Sequence, residues 1–539
     1  MRLVWQPAGA LQAVPSSAGV ARTPLGSVWK LFVYSYLVAE GMQEPPYRCE
    51  AAQRRSDEEY CCDPGESVDR DTALARSCGP YFAPQRLQLQ PAAWRAFWQA
   101  QPGAQAAPAW LLDLGALQPA TVVEAASLLR ALQRVPPPAR LAAREALLPN
   151  TLRDGAVLAA LGSGPRFKTW SWTDGAGRRI GGAAGWLADG TPFWFGAPGT
   201  SRTALQAQAG WMAAQWQPQR LLTVAPDAAG LQAQPCVDVA LFARYPLAQV
   251  QRVDGRATAG GGTRGLADGP LATGDYRVLF ANGQSLPVRG SPALRLSGAA
   301  EGPPRLSARL PLEDYVARVV DREGDARETE AAKALAIAAR SWLLQNTAEQ
   351  GGCRAVDDDS RAQRVSPNPP SAAAQAAAAF TAGLMLNGGT PVRYHRDQAG
   401  PGVMGWQQAV AAARAGQGFE ALLRQAYPGA VLGGLQGGAD CVALPEATQW
   451  LQQRQARWRD RLRSEPGYER PGAELQVCQL QQGVPHADQR RLRIHLREWQ
   501  SREGRVTLIH EYLHLAFRHH PRGQDEAFVE RLAQVLADS

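Results

Sequence analysis

Hydrophobic and polar positions change period several times along this chain, and each change marks a different kind of element. Residues 2–14 read as extended, whereas 30–37 are apolar all round, as in a buried helix. Pro- and Ala-rich helical segments follow from about 91 to 160. Strand-like runs rich in Trp and Phe come next, at 167–172, 182–187 and 192–195, with Asp-Gly turns between them. From 218 to 310 short strands are broken by glycine, and 260–263 read as a flexible loop. The period then becomes helical: Leu312, Tyr315, Val316, Val319 and Val320 form one stripe, and Ala332, Leu335, Ala336, Ala339 and Trp342 the next. Residues 360–375, rich in Ser, Pro and Asn, read as a loop, and 441–539 as a helix-rich unit. The pattern predicts an α+β multidomain chain without internal repeats, divided at 1–215, 216–435 and 436–539.

Length agrees, since 539 residues exceed one hydrophobic core and suggest about two to four domains. The net charge of +8 favours acidic partners such as cell-wall polymers. It is spread along the chain and no DNA- or RNA-binding signature accompanies it, so nucleic acid is not expected. Eight cysteines fall into three groups: Cys49, Cys61, Cys62 and Cys78; Cys236 and Cys353; Cys441 and Cys478. None forms a Cys-x-x-Cys pair, so disulfides within each group and an oxidising compartment, periplasmic or extracellular, are expected. Met1 is not followed by the apolar core of a signal peptide, and a true start upstream of Met1 would reconcile the two observations. No stretch is apolar enough to span a membrane.

The sharpest motif is His510-Glu511-Tyr512-Leu513-His514, inside the helical segment 506–517. Two histidines four residues apart lie on one helical face, where both imidazoles reach one metal ion, and the glutamate between them stands beside it. Zinc acidifies a water and the glutamate accepts its proton. The segment resembles the zincin metallopeptidases, and the strand-like run at 491–496 resembles the edge strand along which those enzymes hold a peptide. Pro521 and Gly523 end the helix, and Asp525-Glu526-Ala527-Phe528 resembles the segment from which gluzincins take their third ligand. The expected zinc ligands are therefore His510, His514 and Glu526, with His520 and then Glu530 as alternatives for the third. His520 stands at the metzincin spacing, but Phe517 replaces the glycine that pattern needs. Glu511 is the expected general base, and Tyr512 is expected to pack.

Only three lysines occur, Lys30, Lys168 and Lys333, against a large excess of arginine. Lysine can lose its proton and act as a base, which guanidinium cannot. Lys30 closes Ser27-Val28-Trp29-Lys30 at the start of the buried helix, one turn from the serine hydroxyl it would activate. Ser77-Cys78-Gly79 and Lys168-Thr169-Trp170 follow in order. Together these resemble the penicillin-binding protein and serine β-lactamase fold. The resemblance implies Ser27 as nucleophile with Lys30 as its base, Ser77 as proton relay, and the Lys168 strand as binder of a substrate carboxylate. Gly79 replaces the family's asparagine and Trp170 its glycine, and the bulk of Trp170 is expected to obstruct the substrate groove.

Lys333 lies in Glu330-Ala331-Ala332-Lys333-Ala334-Leu335-Ala336-Ile337-Ala338-Ala339-Arg340-Ser341-Trp342, which resembles a segment of the SpoIID-like lytic transglycosylases. The likeness covers roughly 220–400 and implies Glu323 as the catalytic acid, a carboxyl at a helix end able to protonate a glycosidic oxygen. Gly324 stands where that family usually has methionine. All three resemblances point to peptidoglycan or cell-wall peptide and glycan as substrate. They imply a secreted envelope protein with a zinc metallopeptidase-like hydrolase site and further peptidoglycan-processing domains. The competing reading is a non-catalytic peptidoglycan-binding scaffold.

Overall fold

In the computed structural model of the protein, the described residues are 1–539 except 8–9, 46, 50–60, 62–66, 104, 153–154, 174, 217–234, 254–265, 299–302, 348, 388–391, 396, 401, 429, 436–443, 472–474, 480–484, 489–491 and 539. The expected loop at 260–263, Cys62 and Cys441 lie outside them. The chain divides into two compact units. Residues 1–231 and 432–539 form one, and 232–431 the other.

The first unit is built on a five-stranded antiparallel sheet in the order Gln12–Val14, Arg2–Trp5, Pro192–Pro198, Arg179–Trp186, Arg166–Thr173. Alternation sorts its side chains between two cores. Leu3, Phe193 and Phe195 pack on one face with Leu205, Met212 and Trp216; Val4, Trp194 and Trp170 pack on the other with Leu31 and Phe32. The glycines of the Arg179–Trp186 strand are required by close approach: a Cβ at Gly182 would overlap the Phe195 carbonyl, and one at Gly181 the backbone of Thr200 and Ser201. The helix Trp29–Ala39 is buried from Trp29 to Leu37, as its unbroken apolarity predicts.

The C-terminal part of this unit has its own core. Trp458, Ile494, Leu508, Tyr512 and Val529 bring together the helices Pro445–Arg463, Arg502–Ala516 and Glu526–Ala537 over a three-stranded sheet. The strand order corrects one expectation. Arg493–Leu496 is central, parallel to Gln476–Gln479 on one side and antiparallel to His486–Asp488 on the other. Both of its hydrogen-bonding edges are occupied, so it is not the edge strand the sequence suggested.

The second unit contains a six-stranded sheet in the order Gly269–Pro270, Leu294–Ser297, Arg305–Pro311, Cys236–Leu241, Cys353–Asp357, Glu349–Gln350. Cys236 and Cys353 are opposite in register on neighbouring parallel strands and form a disulfide. The stripe from Leu312 to Val320 is buried on the helix Leu312–Glu323, and the next helix is Thr329–Asn346. Arg340 is fully buried there, bound to Glu313 and donating to the Leu384 carbonyl at 2.9 Å. The expected loop at 360–375 is shorter than its composition suggests, because Ser371 caps a helix, Ala372–Phe380, by accepting from the Ala374 N–H. Among the described residues no helix is long and apolar enough to cross a membrane.

Candidate functional site

The helix Arg502–Ala516 starts at a well-made cap. Ser501 accepts from the Gly504 N–H at 2.9 Å, and Glu498 in turn holds the Ser501 N–H and hydroxyl. The helix buries Leu508, Tyr512 and Leu515 in the core, while His510 and Glu511 line a cleft. Tyr512 packs in the core with its hydroxyl 3.3 Å from that of Tyr468. After Phe517 the chain turns, and Asp525 caps the helix Glu526–Ala537 by accepting from the Phe528 N–H. Glu526 is thereby set in the first turn of a helix packed against the motif helix.

Three ligand atoms converge there. The two histidine Nε2 atoms are 3.1 Å apart, and Glu526 carboxylate oxygens lie 3.3 Å from Nε2 of His510 and 3.7 Å from that of His514. Ligands about 2.0–2.1 Å from a tetrahedral zinc are separated by about 3.4 Å, so these distances bracket what the metal needs. The other ring nitrogens are engaged from behind: Nδ1 of His510 is 3.0 Å from Glu530, and Nδ1 of His514 is 2.7 Å from the Gly523 carbonyl. Such outer partners fix ring orientation and leave Nε2 to face a metal. Burial opposes a charge on His510, but hydrogen bonds to Glu526 and Glu530, with Glu511 nearby, push its imidazole up to about 10. The hydrogen bond from His510 holds Glu526 below the usual carboxylate range against its burial, and His514 and Arg76 act in the same direction. The cluster thus attracts positive charge, which fits a divalent cation.

Of the sequence alternatives, Glu530 stands behind His510 rather than beside the ligand atoms, and His520 is outside the cluster. His520 instead caps the turn Pro521–Gln524, its Nδ1 accepting from the Arg522 N–H at 3.2 Å. The Gly523 carbonyl was not legible in the sequence, because a backbone acceptor carries no residue signature. Beside the cluster runs a cleft of about 90 Å³ lined by Thr507, His510, Glu511 and Glu530 and, from the N-terminal part of the unit, by Asp69, Thr72 and Arg76. Arg497 joins these walls: it pairs with buried Asp71 and lies 3.7 Å from Asp69, while Asp71 accepts from the Tyr34 hydroxyl at 2.6 Å.

Ser27, Lys30 and Ser77 also meet. Lys30 Nζ is 2.6 Å from the Ser77 carbonyl, 3.3 Å from its hydroxyl and 3.4 Å from the Ser27 hydroxyl. Ser77 has φ of 64°, a left-handed conformation rare for serine, and the next residue is tied by the disulfide Cys61–Cys78. Cys49 and Cys478 each take part in a further, separate disulfide. Lys168 is fully buried, donating to the Thr169 carbonyl at 3.2 Å on a strand that packs beside the Ser27 turn. Trp170 is the residue whose bulk was expected to obstruct the substrate groove. It is buried, stacks on Trp194 with ring centroids 5.9 Å apart, and packs against Gly26 beside the serine.

In the second unit, Glu323 ends its helix and accepts from the Arg364 N–H at 2.8 Å. Burial raises its carboxyl; the Arg364 N–H and the Arg364 and Arg322 charges pull down, and Asp358 pushes up. The space a side chain at 324 would take is filled by Leu335 and Trp406, at 2.8 and 2.9 Å from a Cβ built there, which explains the glycine. Lys333 is held by two neighbours. It pairs with Glu330 at 2.6 Å, and its ammonium lies 3.9 Å from the Phe380 ring centroid.

A family model described as predicted secreted protein (DUF2300) matches residues 53–177 and 402–522, and the stage II sporulation protein (SpoIID) model matches 303–389, between those two stretches. The uncharacterized protein YfaQ of Escherichia coli (strain K12) is 40% identical over 537 residues, covering 97% of this chain and 92% of that protein. Among solved structures, a β-lactamase from Burkholderia ambifaria is 15% identical with a TM-score of 0.27, covering 40% of this chain and 92% of its own. One from Desulfarculus baarsii DSM 2075 is 18% identical with a TM-score of 0.27, covering 40% of this chain and 90% of its own.

Proposed function

We propose that the chain, which belongs to the family of YfaQ and matches the predicted secreted protein (DUF2300) model on either side of a SpoIID match, is a periplasmic or extracellular zinc peptidase acting on cell-wall peptide. The observation that carries this reading is the convergence of His510, His514 and Glu526, with each imidazole anchored from behind by Glu530 or the Gly523 carbonyl. Zinc held there supplies the Lewis acidity that makes a neighbouring water reactive near neutral pH. Glu511 lines the cleft with His510, and in this reading its carboxylate would accept the proton of that water and pass it to the leaving amine. Glu530 and Gly523 keep the two rings from turning, and the neighbouring Arg497–Asp71 pair holds a wall of the cleft in place. Two carboxylates of the cleft, Glu511 and Glu530, are thus assigned different tasks by position.

The test is metal content followed by turnover. Protein purified without chelators should carry close to one zinc per chain, and Glu511→Gln should keep that zinc while losing peptide hydrolysis by about 10²–10⁴-fold. Absence of zinc from the folded wild-type protein would overturn the assignment.

A second activity is favoured by Glu323, whose raised carboxyl at a helix end suits a general acid for glycan cleavage. Loss of anhydromuropeptide release from purified peptidoglycan in Glu323→Gln is the corresponding assay. The Ser27–Lys30–Ser77 contacts likewise suit acyl transfer, which labelling by a fluorescent penicillin, abolished in Ser27→Ala, would support. Binding to purified peptidoglycan with no turnover at any of the three sites would instead support the scaffold reading.

A further inference from the structure

We propose, resting on the glycan-cleavage reading of Glu323, that Tyr245 with Phe242 and Phe280 forms an aromatic platform on which a glycan strand lies as it enters that site. Tyr245 is 61% exposed, and among the described residues it is the only aromatic side chain that the fold leaves mostly in water. A lone exposed ring is ordinary, but this one belongs to a group. Its ring centroid is 6.3 Å from that of Phe280, which is 5.2 Å from that of Phe242, and both phenylalanines are only half-buried.

The three rings are carried by a fixed turn. Phe242-Ala243-Arg244-Tyr245-Pro246 joins the strand Cys236–Leu241 to the strand Leu247–Arg252. The Tyr245 N–H donates to the Phe242 carbonyl at 2.8 Å, and the Ala281 N–H, next to Phe280, donates to the Pro246 carbonyl at 2.8 Å. Phe242 has φ of 56°, a left-handed conformation that a bulky side chain rarely takes. Asp358 holds it there by accepting the Phe242 N–H at 3.3 Å. Such backbone strain persists only where its surroundings impose it, and it gathers at ligand sites.

Asp358 also ties this turn to Glu323. Its other carboxylate oxygen accepts from the Val365 N–H at 2.9 Å, while the preceding N–H, that of Arg364, goes to Glu323. Chain direction brings the same groups together. Arg305–Pro311 runs antiparallel to Cys236–Leu241, and the helix Leu312–Glu323 then returns beside that strand, starting with the Leu312 N–H on the Pro235 carbonyl. Its 12 residues and the strand's 6 are of matching length, each about 20 Å, so Glu323 arrives at the end where Phe242 begins the turn. A pyranose presents one face of C–H groups, which an aromatic ring covers at little cost to its hydroxyls. An acid alone gives no hold on sugars away from the bond it protonates, and the platform supplies that hold. Three rings match single sugar faces better than the broad apolar area of a stable protein interface. Arg244 in the turn, with Arg322 and Arg364 beside Glu323, is exposed, which suits a strand bearing acidic stem peptides.

The experiment uses the full chain as Glu323→Gln, titrated by calorimetry with peptide-free strands of alternating N-acetylglucosamine and N-acetylmuramic acid. Tyr245→Ala should weaken binding by about tenfold and Tyr245→Phe by less than about twofold, because the ring face and not the hydroxyl is used. With Glu323 intact, Tyr245→Ala should raise KM for anhydromuropeptide release and leave kcat within about twofold. No binding of the strands, or equal affinity of Tyr245→Ala with an unchanged melting curve, overturns the inference. So does sedimentation of the wild type as a dimer that Tyr245→Ala dissociates, because a second copy would then cover the patch. A wild-type chain that binds the strands through Tyr245 yet releases no anhydromuropeptides overturns the glycan-cleavage reading instead.

Discussion

At the scale of single residues, the candidate metal site depends on which groups stand behind the ligands. Glu530 and Glu526 both approach His510, at 3.0 and 3.3 Å, but on different ring nitrogens. Glu530→Gln should therefore preserve the site and weaken zinc about 10–100-fold, whereas Glu526→Ala should weaken it further, as a competition titration with a zinc chelator would read. Equal effects would mean that the two carboxylates share one role. Glu323 offers a test of another kind. Burial raises its folded-state carboxyl, so its contribution to stability is complete below its unfolded pKa of about 4.3 and is lost as pH rises through the raised value. Glu323→Gln keeps an acceptor for the Arg364 N–H and has no charge to bury. It should raise Tm at pH 7, and the gain should vanish below about pH 4; a pH-independent change would contradict the burial account.

At the scale of elements, two helix caps decide the site. Ser501 sets the start of the motif helix and Asp525 that of the helix carrying Glu526, and the packing of these two helices on each other brings the ligands together. Ser501→Ala should cost about 1 kcal/mol, measured by urea unfolding, because it frees the Gly504 N–H and releases Glu498. The same reasoning accounts for His520: the chain turns at Phe517, and His520 becomes the cap of the next turn rather than a ligand. The strand at Arg493–Leu496 shows how neighbours change an element's use. Its polar-apolar pattern suits an edge or a centre equally, and pairing with Gln476–Gln479 and His486–Asp488 makes it a centre.

At the scale of the whole molecule, sequence distance is a poor guide to proximity. Residues 432–539 belong to the same compact unit as 1–231, and the family match is split in a similar way around the SpoIID region. The cleft follows from this, with Asp69, Thr72 and Arg76 on one side and His510 and Glu511 on the other. In the second unit the disulfide Cys236–Cys353 closes a sequence separation of 117 residues. Loop-closure entropy of that size is worth up to about 5 kcal/mol, so the double variant Cys236→Ala/Cys353→Ala should lose a measurable part of that in thermal unfolding of the secreted, oxidised protein. An unchanged Tm would show that the strand pairing alone holds this sheet.

What local chemistry can encode was legible along the chain. The buried helix at Trp29–Ala39, the stripe from Leu312 to Val320, the motif His510-Glu511-Tyr512-Leu513-His514 and the nearness of Ser27 to Lys30 all rest on spacings within one element. The three-dimensional fold settled what depends on surroundings. It placed Glu526 rather than His520 beside the histidines, put Glu530 and the Gly523 carbonyl behind them, buried Trp170 beside the serine, and brought Arg76 to the cleft. The reason is physical: periodicity fixes which side of a helix a residue occupies, but pairing and packing across the chain fix what that side meets.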